Sequence, residues 1–255
     1  MTKEDRHKLI IDTLEKSEYA QVIDLAQMLR VSPVTIRKDL TELEHANKLF
    51  RTHGKAALKN PYINTRPDNV KGLIAILEKQ KIAEYAATRI EKDDSIVISS
   101  GTTITAFAKA IRPVNHLTAI TASIQVTSIL LNLGGVEVIQ LGGIVDPTSQ
   151  SIMGHYASDI LSTCSCSKLF LGVDGIDLDY GFTTTKIGEA ELDRMMMKAS
   201  QKTIILADSS KFHRRGFSKI GTMEEVDLII TDSNIPDKVA QRLEEMGVEY
   251  VAVQV

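Results

Sequence analysis

Apolar residues recur at helical spacing through the first sixty positions of the chain and at strand spacing after position 95. Leu9, Ile10 and Leu14 supply the inner face of a helix over residues 3–16, and a break follows at 17–20. Val22, Leu25, Ala26 and Leu29 make a second amphipathic helix that ends at Arg30, and Ile36, Leu40 and Leu43 make the buried stripe of a third. Ser32 stands where an N-cap hydroxyl accepts an orphan backbone N–H, and Pro33 follows at the first helical position, where its missing N–H costs nothing. Only Val31 separates Arg30 from that cap. Two short helices joined by so tight a turn are the helix-turn-helix signal. Residues 49–56 read as a short β-hairpin with Gly54 at its tip. Pro61 and Pro67 mark a linker, and a long helical pattern runs over 72–91.

From Ser95 the period changes. Strands are predicted over 96–98, 117–121, 136–141, 169–172, 203–207, 228–231 and 249–253. Helices alternate with them over 103–111, 124–131, 156–161, 189–200 and 237–246. Such alternation means a mostly parallel sheet with helices on both faces. The expected architecture is an N-terminal all-α, winged helix-turn-helix domain (1–58), a linker (59–72), and a C-terminal α/β domain with a mostly parallel sheet (73–255).

Composition changes this picture little. A chain of 255 residues with 43% hydrophobic residues can bury the core of one large or two ordinary domains. No apolar run reaches transmembrane length and residues 1–16 are charged, so a soluble cytoplasmic protein away from membranes is expected. Charge is more informative. The net −3 hides a split: residues 1–60 hold 11 Lys and Arg against 9 Asp and Glu, and the remainder is acidic. The outward face of the third helix carries Val34, Arg37, Lys38 and Thr41, next to Ser32, Pro33 and Thr35 of its first turn. Two cations, hydroxyls and a small apolar group suit phosphate, guanine and the thymine methyl of a major groove. A solvated amphipathic helix would have the same pattern alone, but the preceding helix and the hairpin favour double-stranded DNA. Arg51, His53 and Lys55 alternate along the hairpin and would reach the phosphate backbone. So mild a basic patch needs duplication, which predicts a homodimer or larger oligomer.

In open parallel sheets, ligands bind beyond the carboxyl ends of the strands. After the first strand come Ser99, Ser100, Gly101, Thr102 and Thr103, a hydroxyl-rich glycine turn opening a helix, which suits a phosphate or carboxylate. Thr121 follows the second strand and Gly143 the third. Asp174 follows the fourth, with Lys186 in the loop beyond, and Lys211 follows the fifth. Lysines answer an anionic head group and aspartates answer sugar hydroxyls. Asp146, Asp177 and Asp179 read as solvated loop residues, Met195, Met196 and Met197 as core packing, and Cys164 and Cys166 as buried or half-buried thiols. His155 and His213 have no partner at metal spacing, and neither metal nor cofactor is expected.

These residues resemble the signatures of the DeoR family of bacterial transcriptional regulators, over essentially the whole chain. The N-terminal one reads Val31-Ser32, Thr35 to Leu40, Leu43-Glu44 and Arg51 to Gly54; the C-terminal one reads Ser100 to Thr103, Gly172 to Ile176 and Ala207 to Phe212. Arg37-Lys38 stands where the family usually has paired arginines, and Gly54-Lys55-Ala56 where its wing usually reads Gly-Gly-Ala. The resemblance implies a repressor of a sugar-metabolism operon, released from operator DNA by a phosphorylated sugar or related metabolite. The implied sensor fold is similar to ribose-5-phosphate isomerase, which raises an enzyme as the alternative. Against catalysis, the expected base is Met195 and the expected acid before the strand's glycine is Leu171; a thioether abstracts no proton. A protein or RNA adaptor role for the N-terminal module is the third reading.

Overall fold

A computed structural model gives the structure of residues 1–17, 19–46, 48–52, 54–58, 68–112 and 116–255. The predicted wing residue His53 and most of the predicted linker, 59–67, lie outside these described residues. Internal contacts divide the chain into two units, Met1–Tyr62 and Ile63–Val255.

In the first unit, α1 (Lys3–Lys16) is capped by a reciprocal pair between Thr2 and Asp5. β1 (Tyr19–Gln21) leads into α2 (Val22–Leu29), which ends where Arg30 turns left-handed at φ 53°. α3 (Pro33–His45) follows, its Thr35 amide donating to the Ser32 hydroxyl at 3.1 Å. β2 (Phe50–Thr52) and β3 (Lys55–Ala57) form the hairpin, and β1 adds antiparallel to β3 to make a three-stranded sheet. A three-residue strand is too short for alternation to reveal, so only a break was legible there. Ile10, Leu14, Leu25, Ile36, Leu40 and Leu49 close the core. Asp39 is buried on α3 and accepts from Arg6 of α1, the Nη2–Oδ1 bond being 2.8 Å, with His7 Nε2 3.3 Å away. That pair ties the first helix to the third.

The second unit opens with α4 (Asp68–Lys71) and α5 (Ile76–Ala87). The single helix expected over 72–91 is therefore interrupted. Ala75 turns left-handed at φ 52°, and the buried Lys79 ammonium donates to the carbonyls of Lys71 and Ile74, each at 2.7 Å. Next come β4 (Ser95–Ile98), α6 (Thr102–Ala110), β5 (Leu117–Thr121), α7 (Ile124–Leu130) and β6 (Val136–Gln140). A small hairpin, β7 (Ile144–Val145) and β8 (Ile152–Met153), precedes α8 (His155–Leu161) and β9 (Cys166–Gly172). β10 (Gly175–Asp177) and β11 (Gly181–Thr184) lead to α9 (Ile187–Lys198) and β12 (Ser200–Leu206). β13 (Ser218–Gly221), β14 (Leu228–Asp232), α10 (Asp237–Glu245) and β15 (Tyr250–Val253) complete it.

Seven strands form one parallel sheet in the order β15-β14-β12-β9-β4-β5-β6. Alternate side chains serve opposite faces. Val97, Leu169, Leu171, Ile205 and Ile229 pack with residues of α8, α9 and α10, including Met196. Ile96, Ile98, Phe170, Ile204 and Ile230 pack with α5, α6 and α7. Helices thus cover both faces, as the strand–helix alternation predicts. The chain leaves β4 towards β5 on one side, while β9 on the other side leads to β12. β4 and β9 therefore flank the switch point of the sheet, where a crevice opens at the carboxyl ends. A second antiparallel sheet, β10-β11-β13, was not legible in the sequence. Asp177 and Asp146 depart from expectation. Asp177 is buried and meets Arg215 at 3.0 Å, and Asp146 meets Lys186 at 2.7 Å. Asp179 is partly exposed, 3.2 Å from Arg242. Each of these acids found a cation distant in sequence. No described helix is long and apolar enough to cross a membrane.

Candidate functional site

The first unit presents one side of α3. Ile36, Asp39, Leu40 and Leu43 face inward, leaving Val34 (71% exposed), Arg37 and Lys38 outward on the first two turns. Pro33 is exposed beside them, and the Ser32 hydroxyl is engaged in the cap, 2.9 Å from that of Thr35. Thr41 donates to the Arg37 carbonyl at 2.8 Å and accepts from the Arg51 guanidinium. The Arg51 amide donates to Glu44 at 3.1 Å. Arg51 is thus held against α3 rather than extended from the hairpin. Lys55 stands over the Tyr19 ring, 5.7 Å from its centroid.

In the second unit a cleft opens at the switch point. The turn after β4 puts Ser100, Gly101, Thr102 and Thr103 in its wall. Gly101, at φ 109°, precedes α6 with no side-chain cap, so the first-turn N–H groups face the space with their helix-terminal partial charge. Gly172 permits the approach: a Cβ there would meet the Ser100 carbonyl at 2.9 Å and Ile104 at 3.0 Å. Asp174, Lys211 and Ser149 also line the cleft, with Asp68, Lys71, Thr184, Glu189 and Asp193.

Charge in the cleft is arranged in pairs. The Lys71 ammonium lies 2.7 Å from Asp174. Burial pushes the Asp174 carboxyl up, but Lys71 overrides it and holds the group below the usual carboxylate range. Burial likewise pushes Lys71 down, and Asp174 more than restores it. Thr184 donates to Glu189 at 2.9 Å, its hydroxyl oxygen lying 3.2 Å from Asp174. Asp193 is different. It is 9% exposed, and among the described residues no hydrogen bond or ion pair reaches it. Burial first, then the neighbouring Glu189 and Asp174 charges, raise its carboxyl well above the usual range.

Six of the ten residues read from the sequence as effector-binding line this cleft: Ser100, Gly101, Thr102, Thr103, Asp174 and Lys211. Four do not. Ser99 is buried behind the turn, its hydroxyl accepting from the Gly172 amide at 3.0 Å, which stitches β4 to β9. Thr121 is buried and accepts from the Ser123 amide at 3.1 Å. Gly143 stands at an exposed turn where a Cβ would strike the Met153 carbonyl. Lys186 is spent on Asp146, with Glu189 3.7 Å away. Burial pushes Asp146 up, yet Lys186 and the Ser149 and Thr148 amides bring it down to about 2. Lys71 and Asp193 were missed. Lys71 sits in a stretch that reads as linker, and Asp193 on a helix face where an acid reads as solvated. Among the described residues no group of His, Cys, Asp and Glu is placed to hold a metal ion.

Comparison with known proteins fits this geometry. A family model described as the DeoR-like helix-turn-helix domain matches residues 6–61, and one described as the DeoR C-terminal sensor domain matches residues 74–233. A protein of Escherichia coli O157:H7, assigned as an aga operon transcriptional repressor, is 34% identical over 98% of this chain and 93% of its own. The glycerol-3-phosphate regulon repressor of Escherichia coli K12 is 30% identical over 98% of each. Among solved structures, ribose 5-phosphate isomerase A from Neisseria gonorrhoeae is 19% identical, with a TM-score of 0.41 over 54% of this chain and 53% of its own; a likeness that distant says nothing of chemistry. Both halves of the chain match in order, and these two full-length relatives are named as repressors. The chain belongs to the DeoR family of DNA-binding transcriptional regulators.

Proposed function

We propose that this protein represses a sugar-metabolism operon in the cytoplasm, binding its operator as a homodimer or larger oligomer, and that a phosphorylated sugar in the switch-point cleft releases it. The observation that carries the sensor half is the uncapped α6 N-terminus facing a cleft that also holds Lys71 and Lys211. Helix-terminal N–H groups with ammonium groups are what a phosphate ester needs. The Asp174 and Glu189 carboxyls suit the hydroxyl-rich remainder of such a ligand.

For DNA, Arg37, Lys38 and Val34 are the groups α3 offers to a major groove, with Thr35 and Thr41 supporting them. Arg51, His53 and Lys55 are assigned to the backbone. Arg51 would act partly by buttressing Thr41. Lys71 is paired with Asp174. An incoming phosphate competes for it, and Lys71 belongs to α4, the first element after residues 59–67 that join the units. Effector binding at that lysine is our route from cleft to operator affinity.

The cleft binds without turnover. Glu189 has one oxygen on the Thr184 hydroxyl and the other facing Lys186. Leu171 and Met195 are packed in or against the core, so neither position supplies a base. The deciding experiment is fluorescence anisotropy on duplex DNA from upstream of the protein's own transcription unit, against a scrambled duplex over a salt series, followed by a panel of phosphorylated sugars. Selective binding released by one compound is expected, with no isomerisation of it. Equal binding to both duplexes at every salt concentration would refute the repressor reading, and turnover would restore the enzyme.

A further inference from the structure

Every carboxyl in the cleft but one pair has an answer. Lys71 meets Asp174, and Thr184 with Lys186 meets Glu189. Asp193 is nine-tenths buried, lines the cleft and has no partner among the described residues. Asp68 lines it too, without a hydrogen bond among those residues. In all, four carboxyl side chains line the space against two lysines. A phosphate ester carries up to two negative charges, so a ligand that is only anionic would enter a cleft already short of positive charge.

A sugar hydroxyl does not explain Asp193. Asn, Gln or Ser would meet a hydroxyl equally well, with no charge to bury beside two carboxylates. A carboxyl in that place outperforms them for one class of group, a cation, against which it can ionise and form a charge-assisted hydrogen bond. We propose that the effector carries an ammonium group as well as a phosphate, that is, a phosphorylated amino sugar, and that Asp193 is the specificity-determining residue that receives the ammonium. The phosphate lies at the turn Ser100 to Thr103 near Lys211, and the amine lies by α9. This rests on the sensor reading above and narrows its ligand class.

Matched pairs test it: glucosamine 6-phosphate against glucose 6-phosphate, and galactosamine 6-phosphate against galactose 6-phosphate, by calorimetry on the full chain at pH 7, with inorganic phosphate as the probe of the anion end. The amine member of at least one pair should bind more than tenfold tighter, and Asp193→Asn should bring that ratio close to one. If inorganic phosphate binds but no amine outbinds its hydroxyl counterpart, the ammonium site falls and the phosphate site stands. An Asp193→Asn variant that weakens both members equally would make Asp193 a hydroxyl reader and overturn the proposal. If neither the pairs nor inorganic phosphate bind, the sensor reading itself fails.

Discussion

Arg37 and Asp39 are two positions apart on α3 and have opposite tasks. Arg37 is exposed on the second turn, and its loss should touch DNA alone. Arg37→Ala should cost about 1–3 kcal/mol of operator affinity if the guanidinium is bidentate to guanine, with relaxed preference at one base position. Competition anisotropy over single-base operator variants reads both effects, and unchanged affinity would remove Arg37 from the interface. Asp39 points inward to Arg6 and His7. Burial alone would raise its carboxyl, but those two partners hold it below its ordinary value. The folded unit therefore binds fewer protons here than the unfolded chain. The stabilisation is fully present above the unfolded value of about 4 and drains away as pH falls through the lower folded value. Asp39→Asn should remove about 3 kcal/mol at neutral pH, the low end for a broken buried pair because Arg6 keeps some solvent contact. The penalty should shrink towards pH 3. Protection factors of α3 amides in the full chain, measured for both proteins over that range, check this; a pH-independent difference would contradict it.

At the scale of elements, what the sequence made legible was local, and what it hid was made by distant partners. The Ser32-Pro33 cap, the buried stripe of α3 and the hydrophobic runs of the seven parallel strands each contain their own signal. β1 exists because β3 is beside it, and the short hairpin of β10 and β11 becomes a sheet only because the sequence-distant β13 pairs with β11. The helical pattern over 72–91 concealed the turn at Ala75, since Lys79 closes it with a side chain that reads as solvated. The candidate site divided in the same way. The glycine turn at 100–103 and Lys211 follow strands and could be read; Lys71 and Asp193 reach the cleft only through tertiary packing. Ser99 and Thr121 had the right chemistry and the right strand ends, but their hydroxyls are consumed in holding the loops. Gly172 is the element-scale test. A methyl there has to displace the Ser100 carbonyl, so Gly172→Ala should move the turn and weaken inorganic phosphate binding at least tenfold. The strain should cost about 1–3 kcal/mol of sensor stability. Calorimetry and a thermal melt on one preparation separate the two; retained phosphate affinity would mean the turn is not the anion site.

At the scale of the whole molecule, repression and release are one coupling free energy between two sites, and it must be reciprocal. If effector lowers operator affinity by some factor, typically 5- to 150-fold, operator lowers effector affinity by the same factor. Binding and coupling can then be separated by residue. Lys211 lines the cleft beyond β12 and is outside α4. Lys71 lines the same cleft but belongs to α4, and its carbonyl is held by Lys79 at the start of α5. Lys71→Met keeps the aliphatic stem and removes the ammonium that pairs with Asp174. Our expectation is that Lys211→Ala raises the effector concentration needed for release and leaves the factor at saturation unchanged. Lys71→Met should instead reduce the factor itself, because the group whose allegiance changes between Asp174 and phosphate is gone. Operator affinity measured by anisotropy without effector and at saturating effector gives the factor for each variant. The same ratio obtained from effector titrations with and without operator provides the reciprocal check. A Lys71→Met protein with the wild-type factor would show that the cleft communicates with the operator unit by some route other than α4.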